Sequence, residues 1–183
     1  MLYTIYMSLF SDPEKIVDQC SVQAGQIIAD LGAGSGAYVL AFARALASTG
    51  RVYVIDIQKD LLPRVQTEAR KANLANVDVI WGDIEKVGGS QLADSSVDLV
   101  TLCNVMFQIE EKRATLIEVK RILVPGGRVL LVDWADSFGG IGPHKKDVFS
   151  QKDALELFEK AGFAQDREVT AGSHHYGHIF KKL

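Results

Sequence analysis

The sequence is poor in the features that mark special classes of protein. It holds two cysteines in 183 residues, Cys20 and Cys103, far apart in the chain. They fit no metal-ligand spacing, and their apolar surroundings predict buried free thiols in a reducing compartment. Basic charge is not in excess: 20 Lys and Arg stand against 23 Asp and Glu, a formal net charge of −3. The electrostatic footprint of a nucleic-acid-binding domain is therefore missing. No apolar run is long enough to span a bilayer. The opening MLYTIYMSLF is apolar, but it is short and has no basic residue, unlike the start of a signal peptide. It is expected to be a lid or packing segment of a cytoplasmic protein with no membrane partner. No repeat, low-complexity tract or linker interrupts the chain, so one domain is expected over 1–183, with an N-terminal lid and helix over 1–25 and the core over 26–183.

What is present is an alternation of strands and helices. The runs QIIADL (26–31), RVYVID (51–56), VDVIWG (77–82), VDLVTLCN (97–104) and GRVLLVDW (127–134) are short, β-branched and almost continuously apolar. Such runs fit strands of a parallel sheet covered by helices on both faces. Helical patterns lie between them at 36–48, 59–72 and 110–123, the last stopping at VPGG. Asp12 followed by Pro13 predicts a helix start running to Cys20. Ser150 with Asp153 forms an acidic capping box that opens a helix ending near Gly162. The tail runs FAQDREVT and HHYGHIFKKL leave no room for a crossover helix and must pair antiparallel. The predicted fold is α/β: a Rossmann-like, doubly wound, seven-stranded, mostly parallel sheet with a C-terminal antiparallel hairpin. Ligands of such sheets sit beyond the carboxyl ends of the strands.

The loop GAGSGA after the first strand fits two nucleotide patterns. Gly32, Gly34 and Ala37 satisfy a dinucleotide fingerprint, and Asp56 at the end of the second strand suits ribose hydroxyls. The same features suit S-adenosylmethionine. Asp30, just before the glycines, favours the second reading: at a strand tip facing the crevice it would repel a pyrophosphate and attract a ligand ammonium. Gly36 leaves room for a bulky group over the loop. Asp83, just past the third strand, can accept from an exocyclic adenine amine.

ADLGAGSG (29–36), VYVIDI (52–57), WGDIE (81–85), VDLVTLCNVMFQI (97–109) and RILVPGGRVLLVDW (121–134) together resemble the motifs of class I S-adenosylmethionine-dependent methyltransferases. The similarity runs from about residue 12 to the end and has the flavour of the small ubiquinone/menaquinone-biosynthesis-type enzymes. It implies that Asp30 and the loop Gly32, Ala33, Gly34 and Gly36 hold the amino-acid part of S-adenosylmethionine. It further implies that Asp56 takes the ribose, that Ile57 and Ile84 sandwich the adenine, that Gly82 and Asp83 flank it with Asp83 on its amine, and that Asn104 lines the methionine side. S-adenosylhomocysteine would be the product. A small-molecule acceptor is expected first and a protein side chain or terminus second. The competing readings are an NAD(P)-dependent oxidoreductase and a non-catalytic cofactor-binding subunit.

The remaining signals are bland. In HHYGH, His174 and His178 lie about 13 Å apart on an extended strand with His175 on the opposite face, too far to share one zinc. Cys103 in an apolar strand end has no visible base and is expected to be inert. Lys145, Lys146, Lys181 and Lys182 are expected to be solvated, and His144 to be a surface histidine. After the fourth strand the chain reads NVMFQI, without the Asn/Asp-Pro-Pro-aromatic tetrapeptide of amino-methylating nucleic-acid enzymes, and no Pro-Cys pair exists. Nucleic-acid substrates are therefore disfavoured. Tyr3, Tyr6, Phe10, Met106, Phe107, Trp134 and a lid at 135–149 are the expected acceptor walls, in a monomer or a homodimer. No catalytic base stands out.

Overall fold

The computed structural model describes residues 11–47, 49–138, 140 and 142–183. The expectations for Tyr3, Tyr6 and Phe10, and for the first ten residues of the N-terminal lid over 1–25, fall outside these residues. The described chain forms α1 (Pro13–Asp18), β1 (Ile27–Leu31), α2 (Ala37–Ala45), β2 (Arg51–Asp56), α3 (Leu62–Lys71), β3 (Val77–Trp81), β4 (Val97–Cys103), α4 (Lys112–Ile122), β5 (Leu123–Trp134), α5 (Gln151–Lys160), β6 (Phe163–Glu168) and β7 (His175–Lys182). The helix starts follow their capping chemistry. Asp12 accepts from the Lys15 N–H, and Ser150 accepts from the Asp153 N–H at 3.1 Å, each relieving a backbone donor that the first turn leaves open.

The strands form one sheet in the order β3-β2-β1-β4-β5-β7-β6. Among the described strands β7 alone runs against the others, paired antiparallel with both β5 and β6. The order reverses between β1 and β4, which opens the crevice where a doubly wound sheet receives its ligand. Both faces are covered, as continuous apolar strands require. Ile16, Val39, Phe42 and Val65 from α1, α2 and α3 pack with Val52, Leu99, Leu130 and Ile179 on one face. Leu116, Val119 and Phe158 from α4 and α5 pack with Leu31, Val100, Leu131 and Phe180 on the other. Phe158 stacks on Phe180 with ring centroids 4.1 Å apart. Burying a side chain of this kind contributes roughly 1.5–3 kcal/mol.

Two expectations need correction. α4 stops at Ile122, but β5 begins at once at Leu123 and carries the VPGG segment inside it. Leu123 already pairs with Val97, and a register shift before the Leu99–Arg128 pair absorbs the turn. Lys182 is not a solvated charge: its ammonium donates to the carbonyls of Lys120 at 2.7 Å and Leu123 at 2.6 Å. It thereby satisfies acceptors that the end of α4 leaves open.

The histidines of β7 each have their own packing. His178 faces Gln165, with Nε2 of Gln165 3.1 Å from its Nδ1, and lies between the rings of Tyr176 and Phe180. His175 packs on Trp134, and His174 pairs with Asp136. In the 135–149 segment, a Cβ on Gly142 would sit 2.7 Å from the Trp134 ring, so that segment lies directly against β5.

Candidate functional site

A cavity of about 490 Å³ opens at the carboxyl ends of β1, β2, β3 and β4. Its floor is the loop after β1. Gly32 (φ +75) and Gly34 (φ +52) are in the left-handed region that glycine enters without strain. A Cβ at Gly32 would meet Val105 at 2.3 Å, whereas one at Gly34 would meet nothing within 4 Å. The loop therefore presses its first glycine against the segment after β4 and leaves the second bare toward open space.

Of the residues expected from the sequence, the cavity wall brings together Gly32, Ala33, Gly34, Asp56, Ile57, Gly82, Asp83, Ile84 and Asn104. Asp56 is buried. One of its oxygens accepts from the Gly34 N–H at 3.0 Å and the other from the Gln58 N–H at 2.8 Å. A carboxylate offers about four lone-pair positions, so two remain for a ligand. Asp83 accepts from the Glu85 N–H at 3.1 Å and pairs with Lys86 at 2.9 Å. The hydrogen bond from Lys86 lowers its pKa, so it stays an acceptor. Ile57 and Ile84 give the wall its apolar faces. Asn104 adopts φ 55, its N–H donates to the Val132 carbonyl at 2.8 Å, and its side-chain oxygen is buried without a partner. An unmet buried acceptor is costly; this oxygen is closed off from the cavity, and Asn104 lines the wall with its other atoms.

Asp30 and Gly36 are not on that wall. Asp30 is buried beneath the glycine loop, where its carboxylate accepts a hydrogen bond from the Thr101 hydroxyl of β4. Burial raises its pKa to about 7, helped by the nearby Asp56 charge and opposed by the Thr101 hydrogen bond. The expectation that it faces the crevice is corrected: its influence on the cavity is through charge, not contact. Gly36 caps α2 with φ +80, and a Cβ there would meet Val65 of α3 at 2.8 Å. Its bareness lets the loop pack on α3 rather than making room for a ligand. Met106, Phe107 and Trp134 are also absent from the wall.

The wall contains further residues that sequence patterns did not single out: Ser11, Ser35, Tyr38, Gln58, Glu85, Val105, Gln108 and Ile109. Tyr38 sits in an ordinary amphipathic helix pattern, and only its place in the first turn of α2 marks it. Cys103 lies on the wall as well. Burial, before the neighbouring Asp30 charge, drives its thiol pKa well up, so it is a neutral wall atom and not a nucleophile. Beneath the wall, Glu118 of α4 accepts from the Gly88 N–H at 2.6 Å, the Ser90 N–H at 3.1 Å and Arg121 at 2.7 Å. It fastens to the core the loop that carries Asp83 and Ile84.

The family described as "Methyltransferase domain" matches residues 23–180. A ubiquinone/menaquinone biosynthesis C-methyltransferase, UbiE, from Klebsiella pneumoniae is 28% identical over 120 residues, covering 65% of this chain and 47% of its own length. The chain thus spans about half the length of the curated relatives it matches. A SAM-dependent methyltransferase structure from Aquifex aeolicus superposes with a TM-score of 0.87 at 26% identity, covering 97% of this chain and 92% of that one. The [4+2]-cyclase SpnF shares the fold at 16% identity, with a TM-score of 0.78 over 93% of this chain and 79% of its own. Matched over most of its length, with the glycine loop and strand-end carboxylates of that family around one cavity, the chain belongs to the class I S-adenosylmethionine-dependent methyltransferases.

Proposed function

We propose that the protein transfers a methyl group from S-adenosylmethionine to a small-molecule acceptor. The observation that carries this reading is a cavity with two strand-end carboxylates, Asp56 and Asp83, whose open lone pairs suit a cationic nucleoside. Among the described wall residues there is no Lys, Arg or His, so a dinucleotide pyrophosphate would meet carboxylates with no counter-charge. The small-molecule acceptor rests on the resemblance to UbiE, whose name assigns it to quinone biosynthesis. Two buried free thiols fit a reducing, cytoplasmic setting, and no described helix is long and apolar enough to cross a membrane.

In this reading Asp56 accepts from the ribose hydroxyls, Asp83 accepts from the adenine amine, and Ile57 and Ile84 enclose the ring, with Gly82 between them. Gly32, Ala33 and Gly34 let the backbone approach the amino-acid part, Gly36 shapes the loop, Asp30 contributes negative charge from below, and Asn104 lines the methionine side. Bound there, the cofactor supplies an electrophilic methyl on a sulfonium. The chain's own contribution is alignment and exclusion of water, an effect that can reach roughly 7–11 kcal/mol. An acceptor that must lose a proton needs a base, and Asp56 and Asp83 are both committed to holding the site.

The test is transfer of label from methyl-labelled S-adenosylmethionine to a panel of quinols, phenols and amines, with whole-lysate protein as a further arm. Label in a small molecule supports the proposal, and label in protein alone overturns the acceptor class. Cofactor binding without transfer to any arm favours the non-catalytic reading.

A further inference from the structure

The cavity spans the carboxyl ends of β1 to β4, and β5 is the next strand of the sheet. Between the turn after β4 and the end of β5 lies a carboxylate with no place on the cavity wall. Asp133, the penultimate residue of β5, is fully buried. One of its oxygens accepts from the Trp134 N–H at 2.8 Å and the other from the Phe107 N–H at 3.2 Å. Phe107 is the middle residue of the single 3-10 turn Met106–Gln108, and Gln108 and Ile109, which follow it, are on the wall. One side chain thus ties the end of β5 to the turn that carries two wall residues. Burying a carboxylate is costly, but an amide could not replace it, because it offers only one accepting oxygen. Burial raises the Asp133 pKa to about 6, opposed by the hydrogen bonds from Trp134, Phe107 and Met106 and by the Lys112 charge of α4. The other titratable groups facing it are the Cys103 thiol of β4 and the Tyr176 phenol of β7. Burial drives both of their pKa values upward, so they stay neutral where Asp133 titrates. The carboxyl is closed in the interior and acts through the backbone that it holds.

Resting on the methyltransferase reading above, we propose that Asp133 is a positioning residue for the methyl acceptor, holding Phe107 and Trp134 at a fixed separation on the two sides of its path to the cofactor. Two measurements test this. In the first, Trp81→Phe leaves Trp134 as the sole indole, and acrylamide quenching follows its burial between about pH 8 and 4. Protonation turns one accepting oxygen of Asp133 into a hydroxyl and loosens the tie, so quenching should increase with a midpoint near 6. Adding Asp133→Asn should give the increased quenching at every pH, with no such midpoint. Flat quenching in the Trp81→Phe protein, or the same titration after Asp133→Asn, would overturn the proposal. So would a change confined to pH values near 4, where His175, packed on the Trp134 ring, takes up its proton. In the second, transfer of label to the quinol, phenol or amine that accepts it is measured at saturating cofactor. Asp133→Asn should lower kcat/KM for that acceptor about ten- to a hundredfold at about pH 7.5, while Kd for S-adenosylmethionine changes less than about threefold. The gap in kcat/KM should close below about pH 6, where the wild-type carboxyl is protonated as well. A loss of cofactor affinity as large as the loss in kcat/KM would overturn the proposal and make Asp133 a support of the whole crevice. If the wild-type chain transfers label to nothing, the methyltransferase reading fails on its own, and the quenching titration still decides whether Asp133 holds the two segments.

Discussion

The carboxylate of Asp56 accepts a hydrogen bond from the Gly34 backbone at 3.0 Å, tying the end of β2 to the glycine loop after β1. The same side chain that is proposed to hold the ribose thus shapes the floor beneath it. The site is built on such ties between strand ends, and each can be cut separately.

Gly32 and Gly34 separate conformational strain from collision. Gly34→Ala adds only the cost of a left-handed alanine, about 1–2 kcal/mol. Gly32→Ala adds the same strain plus a clash of its Cβ with Val105 at 2.3 Å, for a total of about 2–5 kcal/mol. Trimming the partner should recover the clash but not the strain. A urea double-mutant cycle between Gly32→Ala and Val105→Ala is expected to give a favourable coupling of about 1–2 kcal/mol. Additive losses would mean that the loop swings away from Val105 without resistance.

Glu118 is the anchor of the loop after β3. Burial alone would raise its pKa, but hydrogen bonds from Arg121, Ser90 and Gly88 outweigh it and hold the carboxyl at about 2. A depressed acid pKa stabilises the fold above the unfolded value near 4.5 and stops doing so as pH falls toward 2. Glu118→Gln should therefore cost about 3–5 kcal/mol near neutral pH, because it leaves Arg121 and loop N–H groups poorly met. The gap from wild type should narrow below about pH 4.5. Denaturant titrations across that range measure it, and a gap that persists undiminished at about pH 2.5 would assign the effect to packing.

How far the sequence reveals all this depends on the range of each interaction. β1 and β2 are readable because both faces of the sheet are buried, so Ile27–Leu31 and Arg51–Asp56 are almost unbroken apolar runs. Asp12 and Ser150 are readable because a cap acts within three residues. Asp56 and Asp83 are readable because a strand end in a doubly wound sheet is already a position at the crevice. Glu118 is not: its partners Gly88 and Ser90 lie far back in the chain, and a lone acid in an amphipathic helix looks solvated. Asp30 reads as a crevice residue from its place at a strand tip, because the sequence does not show the depth of the loop that covers it. Tyr38 was hidden by its own helix, where an aromatic at a buried position reads as core.

Asp30 gives a pH signature. Its pKa is raised to about 7, chiefly by burial. For an acid raised in this way, the folded chain holds a proton that the unfolded chain has lost. Its contribution to stability therefore declines as pH rises from about 4 to about 7, and is flat above. Asp30→Asn keeps an acceptor for Thr101 and removes the decline, so the ligand-free variant should be the more stable protein above about pH 7 and should converge with wild type near pH 4. A cationic ligand favours the ionised form, so wild-type affinity for S-adenosylmethionine should rise between about pH 5 and 7 and then level, while Asp30→Asn binds more weakly at high pH and without that slope. Parallel pH profiles for the two proteins would remove Asp30 from any role in binding.

Trp81 tests the outer rim. Its indole N–H donates to the Ile57 carbonyl at 3.0 Å, and the Lys59 ammonium lies 4.1 Å from its ring centroid. Trp81 is half exposed at the end of β3, an edge strand, so its burial contributes little to the fold. Its indole hydrogen bond fixes the backbone from which Ile57 projects. Trp81→Phe keeps a ring for Lys59 and removes the hydrogen bond, an interaction worth about 0.5–1.5 kcal/mol. Kd for both S-adenosylmethionine and S-adenosylhomocysteine should rise about two- to tenfold, with the same factor for each because the adenosine half is common to them. Thermal stability should change little. A variant that melts early yet binds both ligands normally would show that Trp81 guards the sheet edge and that Ile57 holds its place unaided.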